Sequence, residues 1–218
     1  MNKLDVKYKL VDTAGQITAV VFDGFKKNNL VSISQKLMEE DKRIEQAVFI
    51  TKNKIQTMGN ELCINGSLAG AYLLKDSRLK VSGIDKAINF TKTKKFISAE
   101  FPLNLVVNKK DRLILLQGIV YLITNDKTKV NKIFLSNLAK KYNVPASGII
   151  KFKSNKIRPI VYVINTNTLV WENACGSGSL AYFLFSGFNK IEQPSGEVIK
   201  VNKIKKYFTI KVPVKIVS

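Results

Sequence analysis

Histidine is absent from the 218 residues, and that absence excludes more than any residue present implies. Without an imidazole there is no Ser-His-Asp triad and no Cys-His dyad, and most zinc and iron sites lose their commonest ligand. Acid–base work falls to carboxylates, lysines, tyrosines and two cysteines. Two cysteines in a lysine-rich chain do not make a disulfide scaffold. Long apolar runs are missing too. Residues 113–123 are interrupted by Gln117 and Gly118 and fall short of the roughly 20 residues a membrane-spanning helix needs. The opening Met1-Asn2-Lys3-Leu4-Asp5 lacks the apolar core of a signal peptide, so the expected location is the cytoplasm.

Acidic residues are scarce: 16 Asp+Glu stand against 36 Lys+Arg, a formal net charge of +20. Arginine is scarce as well, limited to Arg43, Arg78, Arg112 and Arg158. Base-reading surfaces favour arginine, and neither a zinc-finger, a helix-turn-helix nor an RNA-binding sheet signature is visible. The lysines are scattered through strand and helix patterns alike, so the charge reads as compositional, and no specific nucleic-acid partner is expected. What is present describes a folded chain: 45% hydrophobic and 24% charged residues, with the apolar ones spread over the whole length.

The two cysteines carry the one repeat in the chain. Cys63-Ile64-Asn65-Gly66-Ser67-Leu68-Ala69 and Cys175-Gly176-Ser177-Gly178-Ser179-Leu180-Ala181 both fit C-x-x-G-S-L-A, 112 residues apart. That offset is about half the chain, which points to two similar halves, 1–109 and 110–218. In each copy a small, polar segment leads into an apolar run, 68–74 and 180–185, suited to a helix buried inside a wrapping of strands. Asn65 or Ser67, and Ser177 or Ser179, supply N-cap chemistry. Each thiol then sits at the positive end of a helix, where free N–H groups favour thiolate and grip a carboxylate. The plainer reading, a buried cysteine acting as a small hydrophobe, suits one cysteine better than a duplicated motif. A redox disulfide between the halves is a third reading.

The rest of the pattern fits two halves. Residues 6–10 and 17–22 read as strands joined at Ala14-Gly15, 30–38 as a helix and 47–50 as a strand. In the second half 113–123 reads as one strand, 133–142 as an amphipathic helix, and 159–164, 169–171, 197–201 and 207–217 as strands. Asn108-Lys109-Lys110-Asp111 marks the boundary. If each half turns its helix N-terminus to a shared interface, the two thiols face one another across a cleft. Inverting a stereocentre needs that arrangement: one group removes a proton while the other delivers one from the far side. Helix ends gripping the carboxylate stabilise the carbanion, and no cofactor motif competes with this.

Four stretches carry a resemblance: Gly59-Asn60-Glu61-Leu62-Cys63, Ile44-Glu45-Gln46-Ala47-Val48-Phe49, Trp171-Glu172-Asn173-Ala174-Cys175-Gly176-Ser177-Gly178 and Gln193-Pro194-Ser195-Gly196. With them the chain resembles the diaminopimelate epimerase family of cofactor-independent racemases, and within it is most similar to the histidine racemases of staphylopine-type opine metallophore biosynthesis. The resemblance implies an α+β fold of two pseudo-symmetric halves, each with strands wrapped around a central cysteine-led helix. It implies a cofactor-independent amino-acid racemase with histidine as the expected substrate, no cofactor or metal, no membrane partner, and dimerisation left open. It makes Cys63 and Cys175 the acid–base pair and Asn65, Gly66, Gly176, Ser177 and Gly178 the carboxylate-binding loops. Glu45 and Glu172 fall at positions that contact the substrate amino group or side chain. Trp171 is expected in the core.

Departures narrow the substrate. Ile64 replaces the glycine that follows the first cysteine in diaminopimelate epimerases, and Asn173 replaces an arginine that serves a distal carboxylate. Gln117-Gly118-Ile119-Val120 stands where a Gly-Asn-Pro-His segment is expected, and Gly15-Gln16 where Gly-Asn is. These differences argue against diaminopimelate more than against racemisation. The rival from another class is a non-catalytic binding protein on the same fold.

Overall fold

The computed structural model describes residues 5–52, 54–127 and 129–217. Residues 1–4, on which the targeting argument rests, and residue 218 at the end of the second expected half lie outside the described residues. In chain order the elements are β1 (Lys7–Thr13), β2 (Gln16–Asp23), α1 (Leu30–Glu40), β3 (Ile44–Thr51), β4 (Lys54–Thr57), α2 (Ile64–Leu73), β5 (Arg78–Val81), β6 (Ile88–Lys92), β7 (Phe96–Pro102) and β8 (Val106–Lys110). They continue with β9 (Leu113–Leu116), β10 (Ile119–Ile123), α3 (Lys132–Lys141), β11 (Ala146–Lys153), β12 (Lys156–Val163), β13 (Thr168–Trp171), α4 (Gly176–Ser186), β14 (Lys190–Glu192), β15 (Val198–Ile204) and β16 (Tyr207–Val217).

The fold is mixed α+β with a closed β-barrel and few helices. Strands β1 to β7 follow one another in the sheet. Strand β16 pairs with β7 through its first part and with β1 through its last residues, which closes the ring. Helix α2 runs inside, against β1, β2, β3, β4, β6 and β7. From β16 the sheet continues through β15, β14, β12, β11, β10, β9 and β8, and α4 packs against β9, β10, β11, β12 and β15.

The residue pattern explains why these two helices lie inside. Every position from Ile64 to Ala71 in α2 and from Gly176 to Tyr182 in α4 is buried. A helix apolar on all sides has no solvent face to offer. Leu68 and Leu180, both fully buried, each contribute roughly 1.5–3 kcal/mol of apolar transfer. Helices α1 and α3 are amphipathic and lie outside, α1 burying Leu30, Ile33 and Leu37, α3 burying Leu135 and Ala139. Each crosses over between parallel strands, β2 to β3 and β10 to β11, the connection a parallel pair requires.

Three expectations are corrected. Residues 113–123 form not one strand but the hairpin β9–β10, because Gly118 turns the chain at φ +79°. Trp171 is not core: it is 38% exposed and its ring lies 4.5 Å from the Arg158 guanidinium, a contact an exposed aromatic finds with a cation. The N-caps are not Asn65, Ser67, Ser177 or Ser179 but the cysteines themselves. Strands β4 to β8, β11 and β14 go unnoticed in the sequence; β11 opens on Ala146-Ser147-Gly148, which carries no β signal. The segment 108–111 falls at the end of β8 and in its turn to β9. Among the described residues, no helix is long and apolar enough to cross a membrane.

Candidate active site

Cys63 and Cys175 cap their helices in the same way. Gly66 N donates to the Sγ of Cys63 at 3.3 Å, and Gly178 N donates to the Sγ of Cys175 at 3.3 Å. The hydroxyls of Ser67 and Ser179 are drawn back a turn, each donating at 2.7 Å to the carbonyl of its cysteine, which leaves the cap position to sulfur. Gly176 lets the two helix starts meet, since a Cβ there would lie 2.7 Å from Ile64 Cγ2 and 2.8 Å from Asn65 Oδ1.

Both thiols line one cavity of about 20 Å³. Among the residues around it are Gln16, Gln46, Glu61, Asn65, Tyr121, Glu172, Gly176 and Ser177. Of the residues singled out in the sequence, Cys63, Asn65, Glu172, Cys175, Gly176 and Ser177 therefore come together. Gly66 and Gly178 stand just behind the wall, bonded to the thiols. Glu45 does not line the cavity: its carboxylate accepts from Asn173 N at 2.9 Å and Asn173 Nδ2 at 2.6 Å.

Other residues, beyond those the sequence motifs mark, shape the site. Glu61, 2% exposed, accepts from Gln46 Nε2 at 2.9 Å and from Gly59 N at 3.0 Å. Tyr121 lies 3.3 Å from the Sγ of Cys175 and 2.8 Å from Ser177 Oγ. Gln193 accepts from Cys175 N at 2.9 Å and donates to Ser179 Oγ at 2.9 Å, which fixes the start of α4 from below. Gln16 reaches the cavity from the start of β2, at the Gly15-Gln16 departure noted above. Glu61, Gln46 and Gln193 sit inside stretches that carry the resemblance, so a signal was available; Tyr121 sits in an apolar strand and gave none.

The electrostatics are those of a buried acidic chamber in a basic chain. Burial pushes the Cys63 thiol up, and the charges of Glu172 and Glu61 add to the effect while the Gly66 N–H opposes it. Burial also pushes the Cys175 thiol up, with Glu172 adding and the Tyr121 and Ser177 hydroxyls opposing. Glu172 is raised to about 8 by burial, with Glu45 and Glu61 pushing the same way. Burial likewise raises Glu61, against the bonds it accepts. Among the described residues five buried side-chain oxygens have no partner, and three of them belong here: Gln16 Oε1, Asn65 Oδ1 and Glu172 Oε2. Buried acceptors are costly to leave unpaired. All three residues line the cavity. Among the described residues, no group of three or more Cys, Asp and Glu side chains is arranged to hold a metal ion.

No protein-family model matches the chain. Relatives and solved structures do. A histidine racemase from Fusobacterium nucleatum subsp. nucleatum, strain ATCC 25586, is 32% identical over 227 residues, covering 85% of this chain and 84% of that protein. The structure of a phenazine biosynthesis protein of the PhzF family from Enterococcus faecalis matches with a TM-score of 0.59 at 14% identity, covering 98% of this chain and 97% of that one. A hydroxyproline epimerase from Agrobacterium vitis matches with a TM-score of 0.53 at 10% identity, covering 98% and 91%. By sequence the chain belongs to the histidine racemase family and is an isomerase of the amino-acid racemase type.

Proposed function

We propose that this chain racemises histidine at Cα, with Cys63 and Cys175 as the two bases. The carrying observation is that both helix-capping thiols open onto one cavity lined by three residues with buried acceptors that lack donors. An amino acid supplies what is missing. Its ammonium carries three N–H donors for Gln16 Oε1, Asn65 Oδ1 and Glu172 Oε2. Its carboxylate suits the first-turn N–H groups of α2 and α4, which no helical carbonyl can reach. An imidazole N–H would add a donor for Glu61, and the name of the Fusobacterium relative supports the choice of histidine.

In one direction the thiolate of one cysteine takes the Cα proton and becomes a thiol. The electron pair stays on Cα, spread into a carboxylate held by the helix ends. The thiol of the other cysteine then delivers its proton to the opposite face and is left as thiolate, so the proton count balances and the roles exchange. Thiolate formation is coupled to binding. In the unliganded site Glu172 and Glu61 oppose negative charge on Cys63. A bound ammonium offsets that field and lets a proton leave sulfur.

The division is into pseudo-symmetric halves, 1–109 and 110–218, each wrapping one cysteine-led helix, with β16 bridging them. A cavity of about 20 Å³ admits water and not an amino acid, whereas small-molecule sites usually offer roughly 300 Å³ or more. Substrate access thus requires the halves to part. The contacts across the division include Glu45 with Asn173, Ser195 Oγ with Ala14 O, and Asn165 Nδ2 with Gly59 O. The test is deuterium incorporation at Cα, followed by NMR in D₂O over a panel of free amino acids. Exchange and racemisation of histidine are expected without added cofactor, and a panel with no exchange at all would favour a binding protein on this fold.

A further inference from the structure

Tyr121 is the one titratable side chain of the cavity that the two-thiol reaction leaves without a task. It is fully buried, in the middle of β10. Its phenol closes a triangle: 3.3 Å to the Sγ of Cys175, 2.8 Å to Ser177 Oγ, with Ser177 Oγ itself 3.6 Å from the same sulfur. The neighbouring strand makes room for this. Gly148 of β11 is the register partner of Tyr121, and a Cβ there would lie 2.4 Å from Tyr121 Cε1 and 2.7 Å from Cδ1. Any larger residue at 148 would drive the ring off the sulfur.

Among the described residues no side-chain hydroxyl serves Cys63, whose side-chain donor is the Gln46 amide. Asn65 stands two residues after its cysteine, as Ser177 does, but the Asn65 amide donates to Thr13 O at 3.1 Å and is tied to backbone. The nearest groups on that side are the Gln46 amide and the Glu61 carboxyl. We propose that Tyr121, with Ser177, is a positioning residue for Cys175: its hydroxyl holds the sulfur in place and donates to it when it carries negative charge. The inference rests on the two-thiol reading for its relevance to turnover, not for the interaction itself. A buried tyrosine filling a core needs a partner for its hydroxyl, but a backbone carbonyl would serve as well. Here the partners are the Cys175 sulfur and the Ser177 hydroxyl, and Glu172 beside them pushes the thiol the other way.

The titratable groups facing Cys175 across the cavity are Cys63, Glu61, Glu172 and Tyr121. The experiment therefore begins from Cys63→Ser, in which Cys175 is the lone thiol. The ultraviolet absorbance of its thiolate is followed against pH, with and without Tyr121→Phe. Phenylalanine keeps the ring that fills the Gly148 slot, so the fold survives; Ser177→Ala is the second variant, smaller and independent of the ring. In both, thiolate is expected to appear at higher pH, by about one unit for Tyr121→Phe, a tenfold lower thiolate fraction at any pH below the midpoint. Curves that coincide, including a pair in which no thiolate forms, would overturn the proposal. The measurement needs no substrate. A shift without histidine turnover by the two-cysteine parent would sink the racemase reading alone, and turnover by that parent without a shift would sink the role of Tyr121 alone.

Discussion

At the start of α2 a thiol takes a backbone N–H from three residues on, and a serine one turn later bonds back to the cysteine carbonyl; at the start of α4 the same two bonds recur at nearly the same lengths. The surroundings diverge. Cys63 sits beside a carboxyl and an amide, Glu61 and Gln46, whereas Cys175 sits beside two hydroxyls and is anchored through its own N–H by Gln193. The backbone is thus used twice to place a sulfur, and the side chains are used once each to tune it. Inversion of a stereocentre requires two groups on opposite faces. It does not require that they be chemically alike, because the ammonium and side chain of the substrate lie differently toward each.

The largest test of that comparison removes one sulfur at a time. Cys63→Ser and Cys175→Ser are each expected to lower racemisation by about 10²–10⁴-fold, the usual worth of a positioned acid or base. Each should retain slow Cα exchange of one enantiomer only, and the two variants should retain opposite ones, read by chiral chromatography and deuterium NMR. Two variants that exchange the same enantiomer would show that the sulfurs do not address opposite faces.

The carboxylates come next. Glu172 has an unpaired oxygen and Glu61 has none, since Gln46 and Gly59 satisfy it. Glu172→Gln is therefore expected to raise KM more than tenfold, and Glu61→Gln to raise KM by less while also destabilising the fold. The pH dependence has a definite sign. A carboxyl raised to about 8 in the folded chain binds its proton more tightly than in the unfolded one, where 4.5 is ordinary. Its contribution is fully present below pH 4.5 and is lost as pH rises towards 8. Glu172→Gln should abolish this fall, leaving the variant more stable than the parent above pH 8 by at least ~1 kcal/mol in denaturant titrations. Equal slopes for the two proteins would place the Glu172 carboxyl in water.

Gln193 offers a smaller contrast. Its removal leaves the Cys175 N–H buried and unpaired, a cost of about 1–3 kcal/mol. Gln193→Ala should lower thermal stability accordingly and reduce kcat several-fold by loosening one sulfur, while exchange at the Cys63 face changes less.

How much of this was legible in the sequence depends on whether a residue's task repeats. The cysteines and the helices they lead could be read because the C-x-x-G-S-L-A spacing occurs twice and both helices are apolar on every side, whereas only part of the strands around them could. Glu172 and Ser177 followed from the same segment. Tyr121 could not be read, because in a strand of apolar residues a tyrosine looks like core until the register sets it opposite Gly148. The closure of the barrel by β16 was equally hidden, since no local pattern says that its last residues pair with β1. Glu45 was read from motif position, but side-chain direction in a strand alternates, and here it points to Asn173.

That last residue supplies the finest test, because it separates a substrate contact from a clasp. Glu45 and Asn173 bond to each other across 128 positions of sequence, and neither lines the cavity. As a clasp they hold the closed form, and a partly exposed pair of this kind contributes little to global stability. Glu45→Ala and Asn173→Ala should each lower kcat/KM by less than about tenfold. The double variant should be no worse than either alone, because both substitutions remove one interaction. A substrate contact behaves differently: loss of a buried charge partner costs 2 kcal/mol or more, so Glu45→Ala alone would raise KM by roughly thirtyfold, and Asn173→Ala would not follow it. The ratio of the two single variants in steady-state kinetics decides between the clasp and the contact.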